Sequence, residues 1–435
     1  MMQDRHTRLE RWVTRTAAVI GILVVSAGVA LQAAGVELGT AVAPFVMAHN
    51  PQATLYALPA AALLAIAVAV APRLVIAPRS PATFAAGVFV LALGLGLAVA
   101  AARRGPEAWS QVFDLGPGGS FEAKNEYLPG LPALEYGAWF FLDRFAEMVP
   151  SMPVNVGGHP PGLMLVIHVL GIDTPGALAA LCIGAAASCA PLAHRLARVL
   201  GAPEPTARVA GLLTAMSPVV LLFGTTSADA VYAAAGLLAA ILLVTPRRWS
   251  RVIGCGVFAL ATLGTWALLA IGAWSALVVW QREDRRAALV LAAGCGFGVV
   301  ALNATLALTH GYDGIGTLLA TEGLYRNSVA SIRPYGFWVL GSPVAWGIML
   351  GLPVAAAALV AVTRRQPAAV ALAVVILIAS VMGFTKAETE RIWLPFAPLA
   401  CVAAAFVLPR SRLRGSLALL ALHALAVELI FDTVW

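Results

Sequence analysis

Glu126, in Asn125-Glu126-Tyr127-Leu128-Pro129, and His159, in His159-Pro160-Pro161-Gly162, lie within one polar stretch, residues 103–159. That stretch also holds Asp114, Glu122, Glu135, Asp143 and Glu147 against few cations. Cations gather farther along, at Tyr325-Arg326-Asn327, at Arg333-Pro334-Tyr335 and in Lys386-Ala387-Glu388-Thr389-Glu390-Arg391-Ile392-Trp393. Asp229 stands between these groups, in Ser227-Ala228-Asp229-Ala230. A carboxylate can take the proton of a hydroxyl. Lys and Arg can hold a phosphate, Arg through a bidentate fork. Carboxylates on one wall of a cleft and cations on the other would suit moving a sugar from a polyprenyl phosphate to a hydroxyl.

The rest of the chain must position these residues, and it is apolar. Hydrophobic residues make up 60% and charged residues 11% of 435, against roughly 25% charged in a soluble domain. Mean hydropathy is +0.87, so the solvent is a lipid bilayer. The formal charge of +7 is no nucleic-acid footprint, because the basic residues form short clusters between apolar runs, as cytoplasmic loops do.

A crossing helix needs about 20 apolar residues. Such runs fall near 14–31, 53–71, 83–101, 176–194, 207–223, 230–244, 287–308, 343–362, 368–383, 393–408 and 416–431. The stretch 252–280 has basic flanks at both ends and reads as two short helices turning near Gly264-Thr265. The total is about 13 crossings. Basic residues before the first run set the N-terminus in the cytoplasm. A cleaved signal ending near Ala33-Ala34-Gly35 is the competing reading. This threading puts residues 103–160, Asp229, the 309–341 loop and the Lys386–Trp393 block on the outer face. Leu163–Leu170 is too short to cross and reads as re-entrant or interfacial.

Each candidate has a plain reading beside the chemical one. Glu126 is a base or a solvated loop carboxylate. Asp114 and Glu122 read as solvated. Asp229 serves the site or caps the helix after it. His159 has no second histidine nearby and reads as orienting its loop rather than binding metal. Arg326 and Arg333 anchor lipid headgroups or hold phosphate, and Arg391 is a snorkelling side chain or a site residue. Cys182, Cys189, Cys255, Cys295 and Cys401 lie in apolar runs without a CxxC pair, which predicts neither a disulfide framework nor a metal site.

An outward-exiting helix, then Asn125-Glu126-Tyr127, then His159-Pro160-Pro161-Gly162 opening a short helix, resembles the GT-C superfamily of membrane glycosyltransferases. The nearest branch is the protein O-mannosyltransferase and aminoarabinose transferase group. Ser227-Ala228-Asp229-Ala230 and the double short helix of 252–280 are similar to further features of that group. Tyr325–Pro343 and Lys386–Trp393 resemble actinobacterial membrane proteins of this type, and the Ala- and Arg-rich, Lys-poor composition fits a high-GC source.

The resemblance implies an all-α, GT-C-like bundle with a large extracytoplasmic first loop, in a bacterial plasma membrane. It implies a two-helix addition at 1–82, a catalytic module at 83–410 and a C-terminal helix at 411–435. The implied reaction is an inverting transfer from a polyprenyl-phosphate sugar to a lipid, glycan or protein acceptor. Glu126, Asn125 and Asp229 would be catalytic, and Tyr127, His159, Arg326, Arg333, Tyr335, Lys386, Glu388, Glu390 and Arg391 would bind substrate. No cofactor is required by the motifs; a divalent cation accompanies some members of the superfamily. Asn125 stands where the family often has the catalytic Asp, so either the base role shifts to Glu126, or to Asp114 or Glu122, or the activity is lost.

Two readings of other classes compete. A lipid-linked sugar transporter or flippase would show inverted repeats and mid-span charges, and neither is visible. A non-catalytic protein of envelope assembly would tolerate replacement of Glu126.

Overall fold

A computed structural model describes residues 2–433. The chain is 77% helical. Among the described residues the strands are Ala48–His49 and Phe431–Asp432, paired antiparallel with Ala48 opposite Asp432.

Among the described residues six helices are long and apolar enough to cross a membrane: Arg8–Ala33, Ala57–Ile76, Pro81–Arg104, Pro175–Val199, Arg285–His310 and Arg410–Ile430. A seventh crossing is available if Tyr335–Met349 and Leu352–Thr363, bent by 115°, act as one. Their hinge is Gly351, at φ +100° with its α-carbon against Leu420. A Cβ there would meet both strain and a clash.

Other expected crossings fall on shorter pieces. Asp229–Val244, Pro367–Met382 and Leu394–Ala405 are apolar helices of 10–17 residues. The run read as one span over 207–223 is broken into Glu204–Met216 and Pro218–Phe223. Pro218 has no N–H to continue the first helix, and the residue before a proline is pushed out of the α region. Ser217 accordingly takes an extended conformation, ψ 128°. The stretch 252–280 is two helices, Arg248–Thr262 and Leu269–Arg282, parted at Leu263–Thr265 as the Gly264-Thr265 pair predicts.

The centre of the bundle is Pro175–Val199 with Glu204–Met216 and Asp229–Val244, backed by Ala397–Ala405, whose residues are all buried. The outermost long helices keep apolar side chains outside: Ile22 and Leu23 on the first, Phe297 and Val300 on Arg285–His310. A helix apolar on its exposed face has lipid as its solvent. The first two helices pack against later ones, the first against Tyr335–Met349 and Leu352–Thr363. Ala57–Ile76 packs on Pro81–Arg104 and Arg410–Ile430, and Arg208 caps its C-terminal carbonyls, reaching Ala77 O at 2.6 Å and Leu74 O at 3.2 Å.

Between Pro81–Arg104 and Pro175–Val199 the chain runs through short helical pieces. These include the 3-10 turn Phe121–Asn125 and the helices Ala138–Met148, Val154–Gly157 and Gly162–Val169. The last opens at His159-Pro160-Pro161-Gly162. Its Gly162 N–H donates to Leu263 O at 2.7 Å, at the break between the two short helices, and a Cβ on Gly162 would collide with that carbonyl. The glycine docks the motif on the helix break.

Candidate active site

Glu126 follows directly on the 3-10 turn Phe121–Asn125. Ser120 caps the start of that turn, accepting from the Glu122 N–H at 3.2 Å. The turn aims Glu126 inward, and the residue is 1% exposed. Oε1 accepts from Asn155 Nδ2 at 2.7 Å, while Oε2 is buried without a hydrogen-bond partner. Burial pushes the carboxyl up to about 8; Arg391 and Asn155 oppose the rise, and Asp229 adds to it. A buried carboxyl resists charging because the low-dielectric interior disfavours the ion.

Asn155 sits in the short helix Val154–Gly157, started by Pro153. Its backbone O accepts from His159 Nδ1 at 2.7 Å. A carbonyl can only accept, so Nδ1 carries the proton. Burial lowers the imidazole's affinity for a second proton, leaving Nε2 as an acceptor. Tyr232 stacks on His159 with ring centroids 5.4 Å apart, and its hydroxyl lies 2.6 Å from that of Tyr127. Asn155 thus ties the Glu126 carboxylate to the His159 ring.

Asp229 begins the helix Asp229–Val244. Its Oδ2 accepts from Ser227 Oγ at 2.7 Å and pairs with Arg391 Nη1 at 2.9 Å. Asp229 and Arg391 are each 5% exposed. Arg391 also reaches Glu388 Oε2 at 3.2 Å, and Arg333 reaches Glu388 Oε1 at 2.7 Å. Burial pushes Glu388 up, but Arg391 and Arg333 outweigh it and hold its carboxyl below the ordinary range. Arg391 is disfavoured by burial and held cationic by Asp229, Glu388 and Glu126. A buried pair of this kind demands every partner, because removing one leaves an uncompensated charge.

The backbone around Glu388 is tied down by cations. Arg333 Nη1 donates to Lys386 O at 2.8 Å, and Lys386 Nζ donates to Ala330 O at 2.7 Å and Arg333 O at 2.9 Å. Glu390 Oε1 accepts from the Val46 N–H at 2.5 Å, and burial pushes its carboxyl up to about 7.

The sequence-predicted residues Glu126, Tyr127, His159, Asp229, Arg333, Lys386, Glu388 and Arg391 therefore converge, with Glu390 at the edge. Three others do not join them. Asn125 donates to Glu122 Oε2 at 2.8 Å, facing back along its own turn. Arg326 is exposed and pairs with Glu322 one helical turn before it. Tyr335 is exposed and donates to Val381 O at 2.5 Å. The alternative base Asp114 is spent on a turn, accepting from the Gly116 N–H at 2.8 Å. Asn155, Tyr232 and Ser227 belong to the site without having been singled out from the sequence. Tyr232 had a signal, since three residues after Asp229 it shares that residue's helix face.

The donor set does not fit a divalent cation. Asp229 and Glu388 are taken up by guanidinium groups, and Glu126 offers one unpartnered oxygen. Among the described residues no three His, Cys, Asp or Glu side chains are grouped to hold a metal.

No family model, curated protein or solved structure matches the chain.

Proposed function

We propose that the chain is a polytopic glycosyltransferase of GT-C-like architecture, acting at the outer face of a bacterial plasma membrane. In this reading the bundle crosses about 13 times, the N-terminus is cytoplasmic, and the segment 103–160 is the outer catalytic loop. The donor is a polyprenyl-phosphate sugar, and the acceptor is a hydroxyl of a lipid, glycan or protein. The observation that carries the reading is the unpartnered Oε2 of Glu126, buried within electrostatic reach of the Asp229–Arg391 pair.

The acceptor oxygen forms the bond to the anomeric carbon as the bond from that carbon to the phosphate oxygen breaks. The acceptor proton passes to Glu126 Oε2. Asn155 holds Oε1 so that Oε2 faces the acceptor. The departing phosphate takes the electron pair and is held by Arg391, Arg333 and Lys386. A placed base contributes roughly 10²–10⁴-fold, and preorganised charge on the leaving group adds more. Asp229 keeps Arg391 oriented, and His159 Nε2 accepts from an acceptor hydroxyl.

The test is donor consumption by purified protein in nanodiscs, with a panel of polyprenyl-phosphate sugars and membrane extract as acceptor source. Glu126→Gln keeps the size and removes the base, so turnover should drop by about two to four orders of magnitude. Equal turnover in both proteins removes Glu126 from the mechanism. A second reading draws on the same protonatable buried carboxyl: a proton-coupled transporter of lipid-linked sugar. It predicts that donor crosses vesicle membranes without being cleaved.

A further inference from the structure

Glu388 is held as an anion between two guanidinium groups, one oxygen on each. Its side chain keeps 19% of its surface, against 7% or less for Arg333, Arg391 and Asp229. Glu388 is therefore more accessible than the charges it pairs with. Its backbone is in the left-handed region, φ +57°, as is that of Ala387 before it, φ +62°. Two consecutive side-chain-bearing residues there are uncommon and unfavourable. The structure holds the turn in place through Arg333 on Lys386 O and Lys386 on two backbone carbonyls.

Arg333 and Arg391 are paired with Asp229 and Glu388, while Lys386 Nζ is met by carbonyl oxygens. The phosphodiester of a polyprenyl-phosphate sugar carries one negative charge, as the carboxylate does, but sets several acceptor oxygens on a larger tetrahedral frame, which suits two forks and an ammonium together better than one carboxylate does.

We propose that Glu388 is an internal anion occupying the seat of the donor's phosphate, and that a lipid-linked phosphate binds by displacing it, letting the strained Lys386–Glu388 turn swing outward. The inference rests on the reading that this site takes such a donor. It explains why the site is sealed: with Glu388 in place, Arg333 and Arg391 are neutralised and Glu126 stays dry. The seat opens only to a ligand whose charge replaces the carboxylate.

The experiment measures binding of farnesyl phosphate and of farnesol to the full-length protein in phosphatidylcholine nanodiscs, for wild type, Glu388→Gln and Glu388→Asp. The wild type should favour the phosphate over the alcohol. An occupied seat that is open about 10% of the time lowers apparent affinity about tenfold. Glu388→Gln should therefore tighten farnesyl phosphate binding about tenfold and leave farnesol unchanged. Glu388→Asp keeps the charge but is too short to bridge both guanidinium groups, and should show a smaller gain. It serves as the test if the glutamine variant does not fold. Unchanged or weaker phosphate binding in the folded variants overturns the inference and makes Glu388 a structural brace, while the phosphate reading stands. Equal binding of both probes by the wild type removes the phosphate reading and the inference together.

Discussion

Replacing Glu126 with glutamine separates the charge of this side chain from its shape. The amide oxygen can still accept from Asn155 Nδ2, and the new NH2 replaces an oxygen that has no partner. The carboxyl is pushed from 4.5 to about 8 in the folded protein. Between those values the native state holds a proton that the unfolded state has lost. Stability is therefore fully present below pH 4.5, declines as pH rises, and is flat again above about 8. A shift of this size corresponds to roughly 4–5 kcal/mol over the whole window at 1.36 kcal/mol per unit. For a chain of 435 residues, an entropy of unfolding near 2.1 cal/mol/K per residue converts this to a midpoint change of about 5 °C. The assay is thermal unfolding in detergent from pH 4.5 to 9, wild type against Glu126→Gln. The wild-type midpoint should fall relative to the variant across the window and then run parallel to it. Parallel curves from pH 5 to 8 would refute the argument, because they would mean that the folded carboxyl titrates as it does in water.

Three further changes test other links. Arg391→Met leaves Asp229 and Glu388 buried without their shared cation and should destabilise by about 3–5 kcal/mol; adding Asp229→Asn should recover part of the loss in the same melting assay. Gly162→Ala drives a methyl into Leu263 O and should lower stability by about 1–3 kcal/mol, with a drop in melting temperature. Arg326→Ala breaks an exposed pair, its side chain 74% accessible, and should leave melting within about 0.5 kcal/mol of wild type and donor consumption unchanged.

The charged part of the site was legible because an apolar chain has few reasons to keep ionisable residues away from its basic loops. Glu126, Asp229 and Arg391 stood out on that ground, although 265 positions separate the first from the last. Asn155 was not legible. It is neutral and lies in a proline- and glycine-rich turn, and it matters only because the fold sets its amide against Glu126. Arg326 was grouped with Arg333 by closeness in sequence. The i,i+4 partner Glu322 was already readable, and a helix turns such a pair to its own face. The breaks inside apolar runs, such as that between Met216 and Pro218, were the least legible feature. Hydropathy registers an apolar run but not whether it stays straight, and a 16-residue helix such as Asp229–Val244 spans only about 24 Å of a core about 30 Å thick. The break near Gly264-Thr265 was legible from the length of the 252–280 stretch and its basic flanks, and in the structure Thr265 caps the turn that follows it, accepting from the Ala267 N–H at 3.4 Å.

Glu126 and the proposed phosphate seat share Arg391, and this coupling has a consequence for pH. Arg391 lowers the Glu126 pKa. A bound phosphate that draws on Arg391 more strongly than Glu388 does leaves less positive charge for Glu126 and brings negative charge closer. The carboxyl should then hold its proton to a higher pH in the complex than in the free protein. The pH dependence of kcat/KM reports groups of the free enzyme, and that of kcat reports the complex. Both profiles should rise toward alkaline pH as Glu126 loses its proton. The kcat/KM limb should lie near 8 and the kcat limb above it. The same coupling helps the chemistry, since charge gathering on the departing phosphate makes Glu126 a stronger base as the acceptor proton arrives. A kcat limb below the kcat/KM limb would show that donor binding makes the surroundings of Glu126 more positive, and Arg391 could not then be the cation that both groups share.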